Sequence, residues 1–297
     1  METSPVAAAN AFAQDARHVQ MNVQMHIHQA AYVCLMSSDP VQKAQCVRAL
    51  RTAFAHGEHV VSMDGEVAPV PDPGRPPRPL LVPRQSLASR GLGSAEGRLA
   101  LAHALAHIEF NAINIGLDAV YRFRAMPREF YADWLQVAFE EAEHFELLRN
   151  YLSDHGKDYG DFPAHDDLWD MVRRTDDDVL IRMALVPRVL EARGLDVTPG
   201  LQKRLRAVGE TRLVEILDVI YREEMGHVRI GTHWFRHLCA ERGLDARSTF
   251  RQLLQEYMSG RIRGPYDEMG RMNAGFSAEE MEDLRAMEQE TLRQLAA

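Results

Sequence analysis

A spacing that suits metal binding occurs twice in this chain of 297 residues. Glu141 and His144 form the first Glu-x-x-His pair, and Glu224 and His227 form the second. Residues three apart project from one face of an α-helix, so the carboxylate and the imidazole of each pair can hold one metal ion together. Chance alone supplies roughly one such pair in a chain of this composition. Two pairs therefore indicate a metal site more strongly than one.

A further glutamate precedes each pair at almost the same distance. Glu109 lies 32 residues before Glu141, and Glu191 lies 33 residues before Glu224. Both of these earlier glutamates stand in apolar stretches with helical spacing. The order of one Glu followed by a Glu-x-x-His pair therefore occurs twice along the chain. We predict that both occurrences contribute to one set of metal ligands: Glu109, Glu141, His144, Glu191, Glu224 and His227.

Six such residues in one helical core require cations. A buried carboxylate without a partner costs several kcal/mol even after the protein relaxes, so four of them would protonate or unfold the core. Two divalent ions would neutralise the four negative charges. Oxygen and nitrogen donors without thiolate suit iron or manganese, and we expect two iron ions, with manganese as the alternative.

A second pair of glutamates stands directly before the ligands of the two Glu-x-x-His pairs. Glu140 precedes Glu141, and Glu223 precedes Glu224. A metal-bound imidazole needs an acceptor for its other N–H group. We therefore predict that Glu140 serves His227 and that Glu223 serves His144; the alternative is that both are ordinary exposed acids.

Helix lengths test whether the first two ligand positions meet. The spacing predicts one helix from Ser94 to about Phe123 and a second from Pro127 to Gly156. Glu109 and Glu141 then lie about 20–25 Å from the connecting turn on adjacent antiparallel helices, because an α-helix rises about 1.5 Å per residue. Their carboxylates should meet at one level.

The second half requires a similar return of the chain. We expect a helix that is kinked by Pro187, carries Glu191 and ends at Gly194. A short helix after Thr198-Pro199 and a break near Gly209 would then bring Glu224 level with Glu191. Tyr221, one turn before Glu224, is either a redox neighbour of the metals or a core tyrosine.

The whole pattern predicts an all-α protein built around a four-helix bundle. Residues 1–60 form an N-terminal helical segment, in which His18, His26 and His28 are interpreted as surface or packing residues. Residues 61–93 are rich in proline and favour an extended connector packed on the helices, with Leu80-Leu81-Val82 as its anchor. Residues 94–242 form the metal-binding bundle, and residues 243–297 form a C-terminal helical extension that covers the bundle or contacts another subunit.

Composition limits the classes of function. The net charge of −9 argues against general electrostatic binding to nucleic acid, although Arg182, Arg188, Arg193, Lys203, Arg204 and Arg206 form a moderate basic cluster.

The cysteines indicate neither a disulfide framework nor a thiolate zinc site; they are Cys34, Cys46 and Cys239. A reducing cytoplasm is therefore the expected compartment. No leader peptide and no long apolar stretch are evident, so neither export nor membrane insertion is expected.

The ligand order resembles that of the ferritin-like diiron carboxylate superfamily, in which two helices each give a Glu and two others each give Glu-x-x-His. The phrases His103 to Glu109, Glu140 to Phe145 and Val186 to Gly194 look like a bacterial branch of it. The resemblance extends over about residues 90–240, and a distant functional likeness is to the diiron hydroxylase that modifies an isopentenyl side chain in tRNA. It implies a ferritin-like four-helix bundle and the six ligands predicted above.

The function expected from this resemblance is an O₂-activating di-iron oxygenase or oxidase. Its partners would be O₂, an organic substrate, an electron-donor protein and a second copy of the chain in a homodimer; a nucleic acid would enter only as a tRNA substrate. Three alternatives remain open: a ferroxidase or iron-handling protein without organic substrate, a di-manganese catalase-like enzyme, and a bundle whose polar core is purely structural.

Overall fold

A computed structural model describes residues 26–88, 90–258 and 262–296, and the part of the predicted N-terminal segment that includes His18 lies outside these ranges. Within them the chain is helical, and its only β contacts are two isolated bridges. The predicted all-helical class is confirmed. The helices are α1 Ile27–Leu35, α2 Pro40–Ala55, α3 Ala95–Arg122, α4 Arg128–Asp154, α5 Asp167–Arg174, α6 Val179–Leu185, α7 Ala192–Ala207, α8 Thr211–Glu241, α9 Ala246–Met258, α10 Glu268–Asn273 and α11 Ala278–Ala296.

The antiparallel pair α3 and α4 forms the first half of the site. Ser94 caps α3 by accepting a hydrogen bond from the Gly97 amide. Glu109 lies 13 residues before the end of α3, and Glu141 lies 13 residues after the start of α4, so each is about 20 Å from the turn. Gly116 lets the two backbones approach closely, because a β-carbon there would lie 2.9 Å from that of Ala138.

The second half repeats this arrangement with different elements. A six-residue π-turn, Val186–Glu191, joins α6 to α7, and all three pack along α8. Proline cannot donate a backbone hydrogen bond, so Pro187 breaks the α-helical ladder where the kink is predicted. Gly231 of α8 receives this proline, since a β-carbon there would lie 2.2 Å from Cγ of Pro187.

The predicted break at Gly194 and the separate return helix after Pro199 are wrong. Helix α7 runs through both residues to Ala207, and the chain reverses at Gly209, whose φ is +74°. Glu191 lies 16 residues before the end of α7 and Glu224 lies 13 residues after the start of α8. These distances correspond to about 24 Å and 20 Å, so one antiparallel turn suffices to align the two carboxylates.

The connector lies against the helices through its backbone. The amide of Val82 donates to the Ala164 carbonyl, and the indole of Trp169 donates to the carbonyl of Pro71. The predicted anchor at Leu80-Leu81-Val82 is made by the backbone, through a bridge between Leu81 and Ala164, while the Leu80 and Leu81 side chains are 65% and 37% exposed. The connector residues Val70, Pro73 and Pro79 are buried.

The hairpin of α1 and α2 packs on α3 and α4 and holds a cysteine pair. Asp39 caps α2 by accepting from the Val41 and Gln42 amides. Cys34 and Cys46 form a disulfide, a pairing that the number and spacing of the cysteines did not indicate; their α-carbons are 5.5 Å apart. The third cysteine, Cys239, is free and buried.

No helix in the described ranges is long and apolar enough to span a membrane.

The C-terminal helices lie on the π-turn and on α8. Arg188 of the π-turn is fully buried and bonds to Glu280 of α11, with a nitrogen–oxygen distance of 2.5 Å. Its guanidinium also stacks within 5 Å of three phenylalanine rings, at Phe235, Phe250 and Phe276. The C-terminal extension therefore covers the outer side of the segment that carries Glu191.

Candidate metal centre

Four of the six predicted ligands form a compact buried cluster. Each of Glu109, Glu141, His144 and Glu224 offers an atom that lies within 4.8 Å of the corresponding atoms of the others. They come from α3, α4 and α8, at the level that the helix lengths require. This group could hold a metal ion.

Glu141 lies between the two imidazoles. Its Oε2 atom is 3.2 Å from His144 Nδ1, and its Oε1 atom is 3.0 Å from His227 Nδ1. One carboxylate therefore presents one oxygen to each Glu-x-x-His pair. His227 joins the cluster through this contact and lies 3.8 Å from Glu224.

The outer ring nitrogens bind the two glutamates that precede the ligands. His227 Nε2 lies 2.7 Å from Glu140, and His144 Nε2 lies 2.7 Å from Glu223. If each Nε2 carries the hydrogen, the Nδ1 atoms that face the cluster are left with their lone pairs available for a metal. The structure thus brings together the residues of both predicted cross-helix pairs.

Glu191 lies beside the cluster rather than inside the four-residue group. It ends the π-turn and lines the same cavity as Glu109 and Glu224. Both of its carboxylate oxygens are shielded from solvent and have no hydrogen-bond partner in the described part of the chain. Glu191 is therefore a further candidate ligand beside the four-residue group.

Without a metal the cluster balances its charge with protons. Burial, followed by the charge of Glu141, raises the pKa of Glu109 well above its ordinary value. Burial, followed by the charge of Glu224, raises the pKa of Glu191 well above its ordinary value. Burial, followed by the charge of Glu141, raises the pKa of Glu224 to about 7.

Glu141 and its two histidine neighbours have opposite shifts. Burial works to raise the pKa of Glu141, but the His227 and His144 rings lower it below its usual range. Burial works to lower the pKa of each imidazole, yet the neighbouring carboxylates raise that of His144 to about 9 and that of His227 well above its ordinary value. The two imidazolium rings beside ionised Glu141 supply positive charge to the cluster.

Unpaired buried atoms fit a metal better than a purely structural core. Buried polar atoms in native proteins nearly always have partners. Among the described residues, six atoms of the predicted ligands have no such partner: Glu109 Oε2, Glu141 Oε1, both oxygens of Glu191, Glu224 Oε2 and His227 Nδ1. A donor set of carboxylates and imidazoles suits iron or manganese.

Tyr221 has a partner outside the cluster. Its hydroxyl group donates to the carboxylate of Asp267, just before α10, and burial raises its pKa to about 12. The contact ties α8 to the C-terminal segment.

The predicted basic cluster is divided by the fold. Arg182 is fully buried against Asp118, and Arg188 is fully buried against Glu280. Lys203, Arg204 and Arg206 are exposed on α7, and Arg193 is half-buried. Two of the six cations therefore stabilise the interior and contribute nothing to a basic surface.

A cavity of about 980 Å³ adjoins the cluster and was not evident from the sequence. Its wall includes Glu109, Glu191 and Glu224, with apolar side chains from α3, the π-turn, α7 and α8. The small residues on the helix face of Glu109, such as Ala106, Ala112 and Gly116, are the sequence feature that could indicate a cavity. Small residues also occur where two helices pack closely, so this feature does not predict a cavity by itself. The volume is at the upper end of the range of about 300–1,000 Å³ for small-molecule sites.

Comparison with known proteins places residues 36–282 in the family described as "Protein of unknown function (DUF455)". An uncharacterized protein of Haemophilus influenzae is 46% identical over 221 residues, which cover 72% of this chain and 77% of that protein. No solved structure is significantly similar to the chain. The family match spans the connector, all the predicted ligands and most of the C-terminal helices, and the chain belongs to the DUF455 family.

Proposed function

We propose that this chain is a ferritin-like non-haem di-iron oxygenase or oxidase that acts on an organic substrate. The observation that carries the proposal is the bridging position of Glu141 between His144 and His227, with unpaired carboxylates around it. Two iron ions bound there would supply O₂ activation for oxidation of a C–H bond. The two-fold ligand pattern on antiparallel helices supports a ferritin-like bundle as the framework.

The chain's own residues would have distinct tasks. Glu109, Glu141 and His144 would hold one ion, and Glu191, Glu224 and His227 the other, with Glu141 shared. Glu140 and Glu223 would accept hydrogen bonds from the Nε2–H groups and fix both rings. Apolar side chains of α3 and α8 would exclude water from the side of the cluster that faces the cavity.

The cavity favours an organic substrate over iron handling alone. Oxidation or storage of iron needs a path for ions, whereas a mostly apolar space of this size beside the ligands can hold an organic molecule. Arg182 and Arg188 are buried, so the basic surface that could bind a tRNA substrate is smaller than the sequence predicts. Iron handling and a di-manganese activity remain the alternatives to be tested.

The proposal is tested by metal content and oxidation. Protein purified without oxygen is loaded with Fe(II) and followed optically as O₂ is added, for wild type, Glu141→Ala and the exposed control Glu143→Ala. We expect about two irons per chain and an oxidation signal in wild type and the control, and neither in Glu141→Ala. No stoichiometric metal in any of the three proteins would leave only a structural polar core.

A second loading separates the alternatives. Protein loaded with Mn(II) and given hydrogen peroxide would evolve O₂ catalytically if the catalase-like activity is correct. Rapid iron oxidation with release or accumulation of ferric ion, and no oxidised organic product, would favour iron handling.

A further inference from the structure

The cavity beside the candidate metal centre changes character from its inner end to its opening. Its inner wall is made of buried apolar side chains, among them Ala112, Leu217 and Ile220, close to Glu109 and Glu224. The exposed residues of its lining mark where it opens to solvent, and three of them are arginines: Arg84, Arg174 and Arg263.

Two of these arginines have no acidic partner among the residues that the structure describes. Arg84 is paired with Asp167 at 3.0 Å. Arg174 stacks on the Tyr257 ring at 5.4 Å, and neither it nor Arg263 has a carboxylate within 4.0 Å in the described ranges. Of the acids at the opening, Asp167 binds Arg84 and Asp170 binds Arg173. The opening therefore has cations that are available to an anionic ligand.

Backbone contacts hold one edge of the opening in place. The guanidinium of Arg193, also in the cavity wall, donates to the carbonyl oxygens of Arg263, Gly264 and Pro265 at 2.9–3.2 Å. This links α7 to the segment that carries Arg263. The backbone of Arg263 is thus held at the opening, and a cation at the opening of an apolar cavity can orient a ligand by its charged end.

We propose that the cavity binds an organic anion with an apolar body. Its carboxylate or phosphate monoester lies at Arg174 and Arg263, and its apolar body extends inward towards Glu109 and Glu224. The identification of this ligand as the substrate rests on the proposed function. The binding itself depends only on the cavity and its opening.

Calorimetry on protein without added iron tests this proposal with ten-carbon probes that differ only in their heads. The probes are decanoate, decyl phosphate, decanol and decyltrimethylammonium. We expect the anions to bind more tightly than the alcohol and the cation to bind most weakly. Each methylene added to a shorter anion should tighten binding about fourfold until the cavity is full. The preferred anion distinguishes a carboxylate from a phosphate.

Variants locate the binding site. Arg174→Gln with Arg263→Gln should weaken anion binding about tenfold or more and leave decanol binding nearly unchanged, since charge-assisted hydrogen bonds are lost. Arg212→Gln is the matched control, because that exposed arginine pairs with Glu215 and does not line the cavity. Ile108→Trp, at a 42% exposed position of the lining, should weaken all the probes by narrowing the cavity.

Several results would overturn the proposal. The first is that neither anion binds. The second is that the cationic probe binds as tightly as the anions. The third is that Arg174→Gln with Arg263→Gln binds the anions as tightly as wild type. Displacement of decanoate by tRNA at low salt would assign the opening to a nucleic-acid backbone instead. Iron oxidation without anion binding would support the proposed function and exclude an anionic substrate. Anion binding without iron uptake would support the anion site and exclude the proposed function.

Discussion

Glu140 lies 2.7 Å from the outer ring nitrogen of His227, a residue 87 positions later in the chain and on another helix. The contact fixes the orientation of a ring whose other nitrogen faces the candidate metal centre. Glu140→Gln keeps the shape and an acceptor oxygen but removes the negative charge. We expect metal affinity to fall roughly 10-fold or more, as for comparable outer residues at metal sites.

Competition with a coloured chelator measures this affinity for Glu140→Gln and for Glu143→Gln, an exposed glutamate on the same helix. Affinity should be unchanged in the control. Equal affinities in the two variants would show that Glu140 is only a surface acid.

Glu191 provides a test in which stability and metal binding change in opposite directions. Its two oxygens are shielded and have no partner among the described residues, and a buried polar group left without a hydrogen bond costs about 1–3 kcal/mol. Glu191→Leu should therefore raise the free energy of unfolding of the metal-free protein. It should also reduce the extra stability gained when metal is added, because that gain follows the affinity.

Urea unfolding with and without metal measures both effects, and Glu256→Leu on α9 serves as the exposed control. A Glu191→Leu protein that is less stable without metal, yet gains as much from metal as wild type, would contradict a ligand role for this residue.

The first half of the site could be predicted more fully than the second. Ser94, the uninterrupted helical spacing and a turn near Ala125 determine the level of Glu109 and Glu141. In the second half Gly194 and Pro199 resemble helix ends, but α7 continues through both. Ala192 and Leu195, fully buried on either side of Gly194, offset its helix penalty of about 1 kcal/mol.

Other features depend on distant contacts that no local pattern contains. Cys34 and Cys46 meet because α1 and α2 form a hairpin, which a separation of 12 residues does not predict. The cavity depends on how α3, the π-turn and the C-terminal helices are placed together. Arg188 looks like one more basic residue until the three rings and Glu280 around it are known.

Arg188 and Arg236 contact the same carboxylate of Glu280 in different surroundings. Arg188 is fully buried, and burial lowers the pKa of its guanidinium to about 10, whereas the Arg236 side chain is 47% exposed. Removing one partner of a buried ion pair costs about 3–5 kcal/mol, while an exposed pair contributes about 0–1 kcal/mol. We expect losses of these sizes in the free energy of unfolding for Arg188→Met and Arg236→Met, respectively.

The double variant Arg188→Met with Glu280→Gln should recover part of the loss, since no buried charge then remains unpaired. Chemical denaturation of the metal-free proteins measures all three. Similar losses of unfolding free energy in Arg188→Met and Arg236→Met would mean that burial does not make the Arg188–Glu280 pair more important for stability than the Arg236–Glu280 pair.

Two glycines of α8 should respond to alanine in opposite ways. Gly226 has open space where a β-carbon would be, so Gly226→Ala should stabilise the helix by roughly 0.5–1 kcal/mol. Gly231→Ala should destabilise the protein by about 1–3 kcal/mol through overpacking against Pro187. Because Pro187 and Glu191 share the π-turn, Gly231→Ala should also reduce metal affinity. Thermal unfolding and the chelator assay measure these effects, and a neutral Gly231→Ala would show that the close contact is easily relieved.

Lys43 gives the stability a pH dependence that is separate from the metal centre. Its buried ammonium group donates to the carbonyls of Cys34 and Leu35 and to the side chain of Asn114, and no carboxylate is among these partners. Burial lowers its pKa from 10.5 to about 7. Between these values the unfolded chain holds a proton that the folded protein has released, so this residue makes stability rise with pH, by at most about 1.4 kcal/mol per unit.

Comparison of wild type with Lys43→Met isolates this contribution from the histidines and glutamates, which are the same in both. The difference in unfolding free energy between them should shift in favour of wild type as pH rises from 7 to 10.5, then level off. Lys203→Met, at an exposed position of α7, should leave the wild-type pH dependence unchanged. A difference between wild type and Lys43→Met that stays constant over this range would mean that Lys43 keeps its proton in the folded protein. Its three hydrogen bonds would then be enough to hold the charged form in the interior.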